Sequence, residues 1–458
     1  MYDLSLEFRK FYYNEVVLSK DETTNLREKK NLNIQRLKDG LEEYNNDNNK
    51  NYKVAETLEQ GSVAMSTVTQ NENNDYDIDV AIVFDDTNLD GLGQIAVKNM
   101  VVDALKRKCT NFKTEPEALT NCVRIVYSDN YHIDFAIYKR IKNDDGSYRY
   151  EHAGSEWRPR DPRAINNWFK DEIKEHGEKL RQAIRLSKMF CKSRESWQMP
   201  GGLIQSVLCD EKIQSYDRLD EMFYHTMKEV QQRLEYITEV YNPTDNSQSL
   251  LLKDKDKTKV TNYCNRLKNY IAKLDALNDE ECTKKQAIEA WYEFFKHDFW
   301  TYDESNESKE ASMSKSLMIN SLNSNIDYYD DTEEIIENIM PVDNRYFIKL
   351  DCKVIDKSKT IIKLSTINSK MKTVPLNRNL LFYLDENRVP KPYKVYWKVK
   401  NQGTEAIKNN CIRGQIIQGK ETMDEYSSFG GDHYVECYIV KNNVCVAKDK
   451  IRVAISME

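Results

Sequence analysis

The run Tyr76-Asp77-Ile78-Asp79-Val80-Ala81-Ile82-Val83-Phe84 constrains the fold most, because it opens an apolar strand with two carboxylates at i and i+2. Strand side chains alternate between faces, so Asp77 and Asp79 project from the same one. Carboxylates this close repel each other unless a cation lies between them. A third, Asp134, sits in His132-Ile133-Asp134-Phe135-Ala136-Ile137, where burial in an apolar strand is costly unless the charge is paired or ligated. Taken alone, Asp77 and Asp79 also fit a solvated turn before a strand; the third carboxylate tells against that reading.

The pattern predicts strands over 78–84, 123–127 and 131–138, the last two forming a hairpin about Ser128-Asp129-Asn130. A helix over 98–108 separates the first two strands. Residues 4–46 read as helical, with Leu4, Phe8, Phe11 and Tyr12 followed later by Leu32, Ile34, Leu37 and Leu41. From 166 to 299 the pattern is nearly all helical, broken at Met199-Pro200-Gly201-Gly202. Residues 301–331, rich in Ser, Asn, Asp and Glu, bury little apolar surface and read as a linker. Beyond Tyr346, short strands such as 395–399, 434–440 and 451–453, with turns at Asn401-Gln402-Gly403 and Lys441-Asn442-Asn443, indicate a small β-sandwich. The expected class is α+β, divided as 1–165 (sheet core with N-terminal helix), 166–300 (helical lobe), 301–340 (linker and short helix) and 341–458 (sandwich).

A chain of 458 residues exceeds one typical domain, and 40% apolar residues with 28 tyrosines supply the cores. The 68 basic and 75 acidic residues leave a net charge of −7, which speaks against wrapping long nucleic acid. Ten scattered cysteines contain no C-x-x-C pair, so neither a zinc site nor a disulfide framework is expected. The first twenty residues lack an apolar signal-peptide core, and no run reaches the roughly 18 apolar residues that cross a membrane. A cytoplasmic protein without membrane contact is expected.

The chemistry of the three carboxylates follows from their type. Mg2+ takes oxygen ligands from one or two carboxylates plus substrate phosphates, with Mn2+ as an alternative. Transfer chemistry with two metal ions needs a third carboxylate for the ion beside the attacking hydroxyl, and Asp134 suits that place. Ahead of them, Gln60-Gly61-Ser62 puts a flexible residue and a hydroxyl where phosphate oxygens can be held. Arg124 faces a base or phosphate, or forms a structural ion pair. His132 orients a carboxylate or, as strand histidines more often do, packs. Lys188 contacts phosphate or snorkels from its helix.

Gly-Ser, then Asp-x-Asp, then a later Asp resembles the DNA polymerase β-like nucleotidyltransferases. Gln60-Gly61-Ser62, Asp77-Ile78-Asp79, Val123-Arg124-Ile125, His132-Ile133-Asp134, Leu186-Ser187-Lys188 and Met199-Pro200-Gly201-Gly202-Leu203-Ile204 are most similar to the bacterial cyclic GMP-AMP synthase group, the CD-NTases of anti-phage CBASS systems. The resemblance spans about residues 5–300. It implies a polymerase β-like core with a helical second lobe, two Mg2+ ions on Asp77, Asp79 and Asp134, and ATP or GTP as substrates. It also implies triphosphate contact by Lys188, alongside nucleotide contacts from Gln60, Gly61, Ser62, Arg124 and Gly201, and a cyclic product read by a separate effector. The family's Pro-Ser is Pro200-Gly201 here, so contact at that corner has to come from backbone N–H groups or Ser206.

Residues 340–458 resemble the AGS-C sensor module through Pro341-Val342-Asp343, 392–399, Arg413-Gly414-Gln415-Ile416 and His433-Tyr434-Val435-Glu436-Cys437. That implies a nucleotide ligand there, for which Tyr393, Tyr396, Trp397, His433 and Tyr434 are stacking candidates and Arg413 and Asp432 polar ones; aromatics at strand spacing are more often core. Two other readings stay open. One is a synthase of linear oligonucleotides or a nucleotidyl transferase to RNA or protein; the other is an inactive nucleotide sensor, which the intact aspartates disfavour.

Overall fold

The computed structural model describes residues 1–70, 76–109, 114–127, 131–302, 333–356, 361–409 and 411–456. The expected 128–130 turn and most of the 301–331 linker lie outside them. The N-terminal helical stretch divides in two. Helix α1 (Ser5–Phe11) ends in a wide turn, and α2 (Lys20–Asn48) restarts where the Ser19 hydroxyl accepts from the Glu22 amide.

Next come β1 (Val54–Gln60), the short α3 (Gly61–Ala64), β2 (Tyr76–Asp85), α4 (Gln94–Lys108), β3 (Glu117–Ala118), β4 (Val123–Val126), β5 (Tyr131–Lys142), β6 (Tyr148–Ala153) and β7 (Trp157–Pro159). The sheet runs β1-β2-β5-β4-β3, with β6 and β7 continuing from β5. Strands β2 and β5 are parallel, which requires a crossover; α4 lies within it. Alternation decides the two faces. Tyr76, Ile78, Val80, Ile82 and Phe84 join Ile133, Phe135 and Ile137 under α2 and α4, in a core with Leu37, Val101 and Leu105. The other set, Asp77, Asp79, Ala81 and Val83, faces away. Its apolar end closes on Leu58, Tyr138 and Tyr150, leaving the carboxylate end open.

Helices α5 (Ala164–His176), α6 (Glu178–Lys192), α7 (Gly202–Lys212), α8 (Leu219–Tyr236), α9 (Asp254–Leu274) and α10 (Lys284–Phe295) form the second lobe. A reciprocal Thr283–Gln286 cap starts α10. Helix α1 packs into this lobe: Phe8 meets Trp291 at 4.6 Å between ring centroids and Phe11 meets Phe295 at 4.8 Å. One departure from the all-helical expectation is a hairpin of β8 (Tyr241–Asn242) and β9 (Asp245–Ser249). Its sequence is polar and lacks alternation, so it carried no strand signal.

The C-terminal part is a sandwich of two four-stranded sheets. One has the order β11-β10-β12-β15, from β10 (Ile348–Ile355), β11 (Ile361–Lys363), β12 (Asn379–Asn387) and β15 (Thr422–Tyr426). The other has the order β14-β13-β16-β17, from β13 (Lys394–Lys400), β14 (Arg413–Gly419), β16 (Gly431–Lys441) and β17 (Val444–Ile455). Cys352, Phe382, Trp397, Val435 and Val446 share the core between them. Asn442 and Asn443, both at positive φ, turn β16 into β17 as the Lys-Asn-Asn signal predicts.

Residues 333–345 strap the two parts together. Ile336 packs on Tyr438, Val440 and Cys445 of the sandwich. On the other side Arg163 Nε donates to the Glu337 carbonyl at 2.8 Å, the Glu59 amide donates to Asn338 Oδ1 at 3.1 Å, and Tyr148 donates to Asp343 at 2.9 Å. Beneath the strap, the buried Glu56 carboxylate takes Arg140 at 2.6 Å, the Tyr150 hydroxyl at 3.0 Å, and Arg163. Removing one partner of a buried pair strands the other charges, so Glu56→Ala is expected to cost about 3–5 kcal/mol. Urea unfolding of the parent and the variant measures this.

Candidate active site

The parallel register of β2 and β5 sets Asp79 directly beside Asp134 and Asp77 beside His132. The antiparallel β4 brings Arg124 opposite Asp134. Arg124 grips that carboxylate with both forks, Nε at 2.7 Å and Nη2 at 2.6 Å, and stands 3.8 Å from Asp77. His132 Nδ1 lies 3.2 Å from Asp77 Oδ1, so the histidine takes the orienting role rather than the packed one. Asp79 has neither partner. Burial pushes its pKa up from the ordinary 3.8 to about 6; repulsion from Asp134 and Asp77 adds to this, partly offset by Arg124 and Arg160.

The end of β1 delivers the Gly-Ser turn to the same place, because Gln60 pairs with Asp79 across the antiparallel ladder. Gly61 has φ +65°, and a Cβ there would stand 2.0 Å from Asp79 Oδ2. Only glycine lets the chain turn so close to the carboxylate. Gln60 Nε2 donates to the Pro162 carbonyl at 2.6 Å, tying this turn to the 160–163 rim.

Helix α6 supplies the opposite wall. Lys188 donates to the carbonyl and hydroxyl of Thr67 at 2.9 and 3.0 Å, so it is drawn inward rather than snorkelling. Burial lowers its pKa to about 7, with Lys192 and Arg185 adding to the effect. The close-packed Gly202 makes room for it: a Cβ there would meet Lys188 Cε at 3.0 Å.

These walls enclose a cleft of about 700 Å³ lined by Gln60, Gly61, Ser62, Asp77, Asp79, Asp134, Lys188 and Gly201. Arg124 and Ser206 do not line it. Arg124 is spent on Asp134, and the buried Ser206 hydroxyl donates to the Gly202 carbonyl at 2.9 Å. Arg160 and Lys192 line the cleft without having been singled out in the sequence. Lys192 was within reach, one turn after Lys188 on the same helix face. Arg160 arrives through a tertiary rim that no local pattern announces.

The carboxylate oxygens do not converge on one point, since Arg124 and His132 hold two of the three residues. Among the described residues, the His/carboxylate group whose ligand atoms all lie within 4.8 Å of one another is Glu172, His176 and Asp210, outside this cleft. The triad nonetheless suits a divalent cation. Its donors are hard oxygens, and Asp79 is short of positive charge.

In the sandwich the aromatic candidates separate. Trp397 and His433 face the core side, where Trp397 Nε1 donates to the Lys420 carbonyl at 2.8 Å and His433 Nδ1 accepts from the Gln402 amide at 3.1 Å. Tyr396 and Tyr434 lie on the outer face. Tyr393 is held by Asn387 and Glu421, Arg413 by Glu425, and Asp432 by Arg452.

Residues 55–138 match the model of the DncV-like cyclic GMP-AMP synthase nucleotidyltransferase domain, and residues 330–456 that of the adenylyl/guanylyl and SMODS C-terminal sensor domain, AGS-C. A cyclic GMP-AMP synthase of Escherichia albertii is 24% identical over 415 residues, 86% of this chain and 83% of that protein. The crystal structure of Vibrio cholerae DncV, a cyclic AMP-GMP synthase bound to a linear intermediate, superposes with a TM-score of 0.53 at 15% identity, over 64% of this chain and 95% of that one. Escherichia coli DncV in a 3′-deoxy GTP-bound form gives 0.53 at 17%, over 66% and 98%. The fold and the cleft therefore define a nucleotidyltransferase of the polymerase β-like class. Within it, residues 55–138 form a DncV-like nucleotidyltransferase domain and residues 330–456 an AGS-C sensor domain, the pairing expected of a CD-NTase. No described helix is long and apolar enough to cross a membrane.

The raised Asp79 pKa has a sign that can be tested. The unfolded chain loses this proton near 3.8, whereas the folded chain holds it to about 6. Stability is therefore lost as pH rises between those values, and the deficit is complete above about 6. Without divalent metal at pH 7.5, Asp79→Asn should gain on the order of 2 kcal/mol. The gain should shrink towards pH 4, as thermal melts across that range will show, and Mg2+ should raise the melting temperature of the parent more than that of the variant.

Proposed function

We propose that this chain is a template-independent synthase that joins nucleoside triphosphates and closes the product into a cyclic di- or oligonucleotide second messenger. ATP and GTP are the expected substrates, CBASS anti-phage defence the setting, and a separate effector the reader of the product. The observation that carries the reading is the in-register pair Asp79 and Asp134, with Asp77 alongside, facing the Gly61-Ser62 turn and Lys188 across one cleft. The names of the similar proteins support it, one a cyclic GMP-AMP synthase and another bound to a linear dinucleotide intermediate.

Asp77 and Asp79 would hold two Mg2+ ions and Asp134 the one beside the acceptor. Bound there, the ions would supply Lewis-acid charge for the attacking hydroxyl and for the pyrophosphate that leaves. The chain's own groups position and neutralise. Arg124 keeps Asp134 compensated while no cation shares it. The Ser62 hydroxyl and the neighbouring amides hold phosphate oxygens, and Lys188 takes up triphosphate charge from the α6 side. At the α7 corner the Gly201 and Gly202 amides serve in place of a hydroxyl. The acceptor and donor are thereby fixed for in-line attack on the α-phosphate. After the first bond forms, the linear product turns over in the cleft and closes.

The decisive experiment incubates the protein with Mg2+ and the four NTPs, then phosphatase, and resolves the products by mass spectrometry. A phosphatase-resistant product with the mass of a closed ring is expected, and Asp77→Ala/Asp79→Ala should reduce it at least about 10³-fold. An open-chain product would overturn ring closure.

Lys188 adds a pH dependence. Its ammonium is half discharged near pH 7 and lost above it, so the KM for NTP should rise between pH 6 and 9. Lys188→Arg, which stays charged, should flatten that rise in steady-state kinetics.

A further inference from the structure

The outer face of the β14-β13-β16-β17 sheet changes character along its length. Where Ile336 of the strap covers it, the sheet presents Tyr438 and Val440, an ordinary apolar seal. At the Glu333 end it presents Lys398 and Lys400, only 4% and 3% exposed, beside Tyr434. Lys398 and Lys400 are two apart on β13 and so share this face; the register sets Tyr434 opposite Lys400. Burying two ammonium groups is costly, and a strap that only had to be sealed down would not require it.

Among the described residues, all three of these groups meet the Glu333 carboxylate. Lys398 Nζ lies 3.0 Å from Glu333 Oε1, Lys400 Nζ 3.4 Å from Oε2, and the Tyr434 hydroxyl donates to Oε1. Lys398 is further held by Glu436 and, at 3.2 Å, by the Glu334 carbonyl. Two ammonium groups and a phenol around a pair of anionic oxygens is a donor set that also fits a phosphate. Although burial opposes it, Tyr434 and Lys398 hold the Glu333 carboxyl below its ordinary range.

The strap beyond Glu333 reaches residues that flank one side of the cleft. Glu334 pairs with Lys170 at 2.5 Å and accepts from the Ile416 amide at 2.7 Å. Glu337 and Asn338 hold Arg163 and Glu59. Glu59 precedes the Gly61-Ser62 turn by two residues, and Arg163 follows the Arg160-Asp161-Pro162 rim.

We propose that Lys398, Lys400 and Tyr434 form a phosphate-binding cradle in the sensor sheet, that Glu333 fills it in the ligand-free chain, and that a phosphate-bearing small molecule displacing Glu333 loosens the strap from the cleft. The effect on catalysis rests on the synthase reading; binding at the cradle does not.

The test is hydrogen exchange on the full chain carrying Asp77→Asn/Asp79→Asn, with orthophosphate, tripolyphosphate or ATP added to millimolar concentration. Faster exchange at the Glu59, Glu334 and Ile416 amides is expected. Glu333→Gln should respond at about tenfold lower anion concentration, and Lys398→Met/Lys400→Met should lose the response. Tyr434→Phe, a milder change, should weaken it if the double variant fails to fold. Response to ATP alone makes the ligand a nucleotide; response to the inorganic anions makes it phosphate itself. Strap amides indifferent to all three anions in Glu333→Gln would overturn the proposal, as would a response that survives Lys398→Met/Lys400→Met. Protection of the Ser62 and Gly202 amides by ATP reports separately on the cleft.

Discussion

Asp79 and Asp134, side by side on parallel strands, repel each other, and the surrounding structure is arranged around that repulsion. The alternation that brings them together also sends every second residue of β2 and β5 under α2 and α4, so one face is packed and the other is left for polar work. Opposite them, Arg124 neutralises Asp134, and His132 stands by Asp77. Asp79 keeps an unbalanced charge at the place where the backbone of Gly61 comes closest. A cleft short of positive charge at its centre and supplied with it at its rim, by Arg160, Lys188 and Lys192, suits a ligand that brings both anions and cations.

The same economy of charge governs the join between the two parts of the chain. Glu56 is shared by Arg140 and Arg163 in the interior, with Asp85 supplying the second negative charge to Arg140, and each arginine also donates to a strap carbonyl, Val342 for one and Glu337 for the other. Those bonds fix the strap by main-chain geometry, whatever side chains it carries. Two of its acidic side chains face the sandwich, where Glu333 meets Lys398 and Lys400 and Glu337 meets Lys448. Apart from the Ile336 seal, the connection is polar on both sides. Such contacts exchange partners more readily than an apolar seal, because a competing ion can replace one of them without opening a cavity.

Much of this was legible in the sequence for a physical reason. Strand periodicity and the cost of isolated carboxylates are local, so Asp77, Asp79 and Asp134, their strands and the Gly61-Ser62 turn could be read from neighbours within a few residues. The asparagine turn between β16 and β17 was legible likewise, since few residues accept positive φ twice in succession. What escaped depends on distant partners. Arg160 enters the cleft on a rim fixed by Gln60; α1 joins the helical lobe because Phe8 and Phe11 find Trp291 and Phe295. The division of Trp397 and His433 from Tyr396 and Tyr434 is a matter of which sheet face is covered, and alternation alone does not say by what.

The Pro200-Gly201 corner illustrates how a missing side chain shapes its neighbours. Glycine at 201 and at 202 leaves only amides at the start of α7, and Gly202 leaves space. Lys188 Cε fills that space, 3.0 Å from where a Cβ on Gly202 would be, and its ammonium is drawn in to Thr67. Ser206, one turn on, does not compensate, because its hydroxyl already serves the Gly202 carbonyl. The corner thus offers amides beside a buried cation whose pKa sits near 7. A neutral donor would grip phosphate equally at any pH. A desolvated lysine grips weakly until an anion arrives to favour its charged form, so under the proposed function a triphosphate bound at this corner would itself stabilise the charge that holds it.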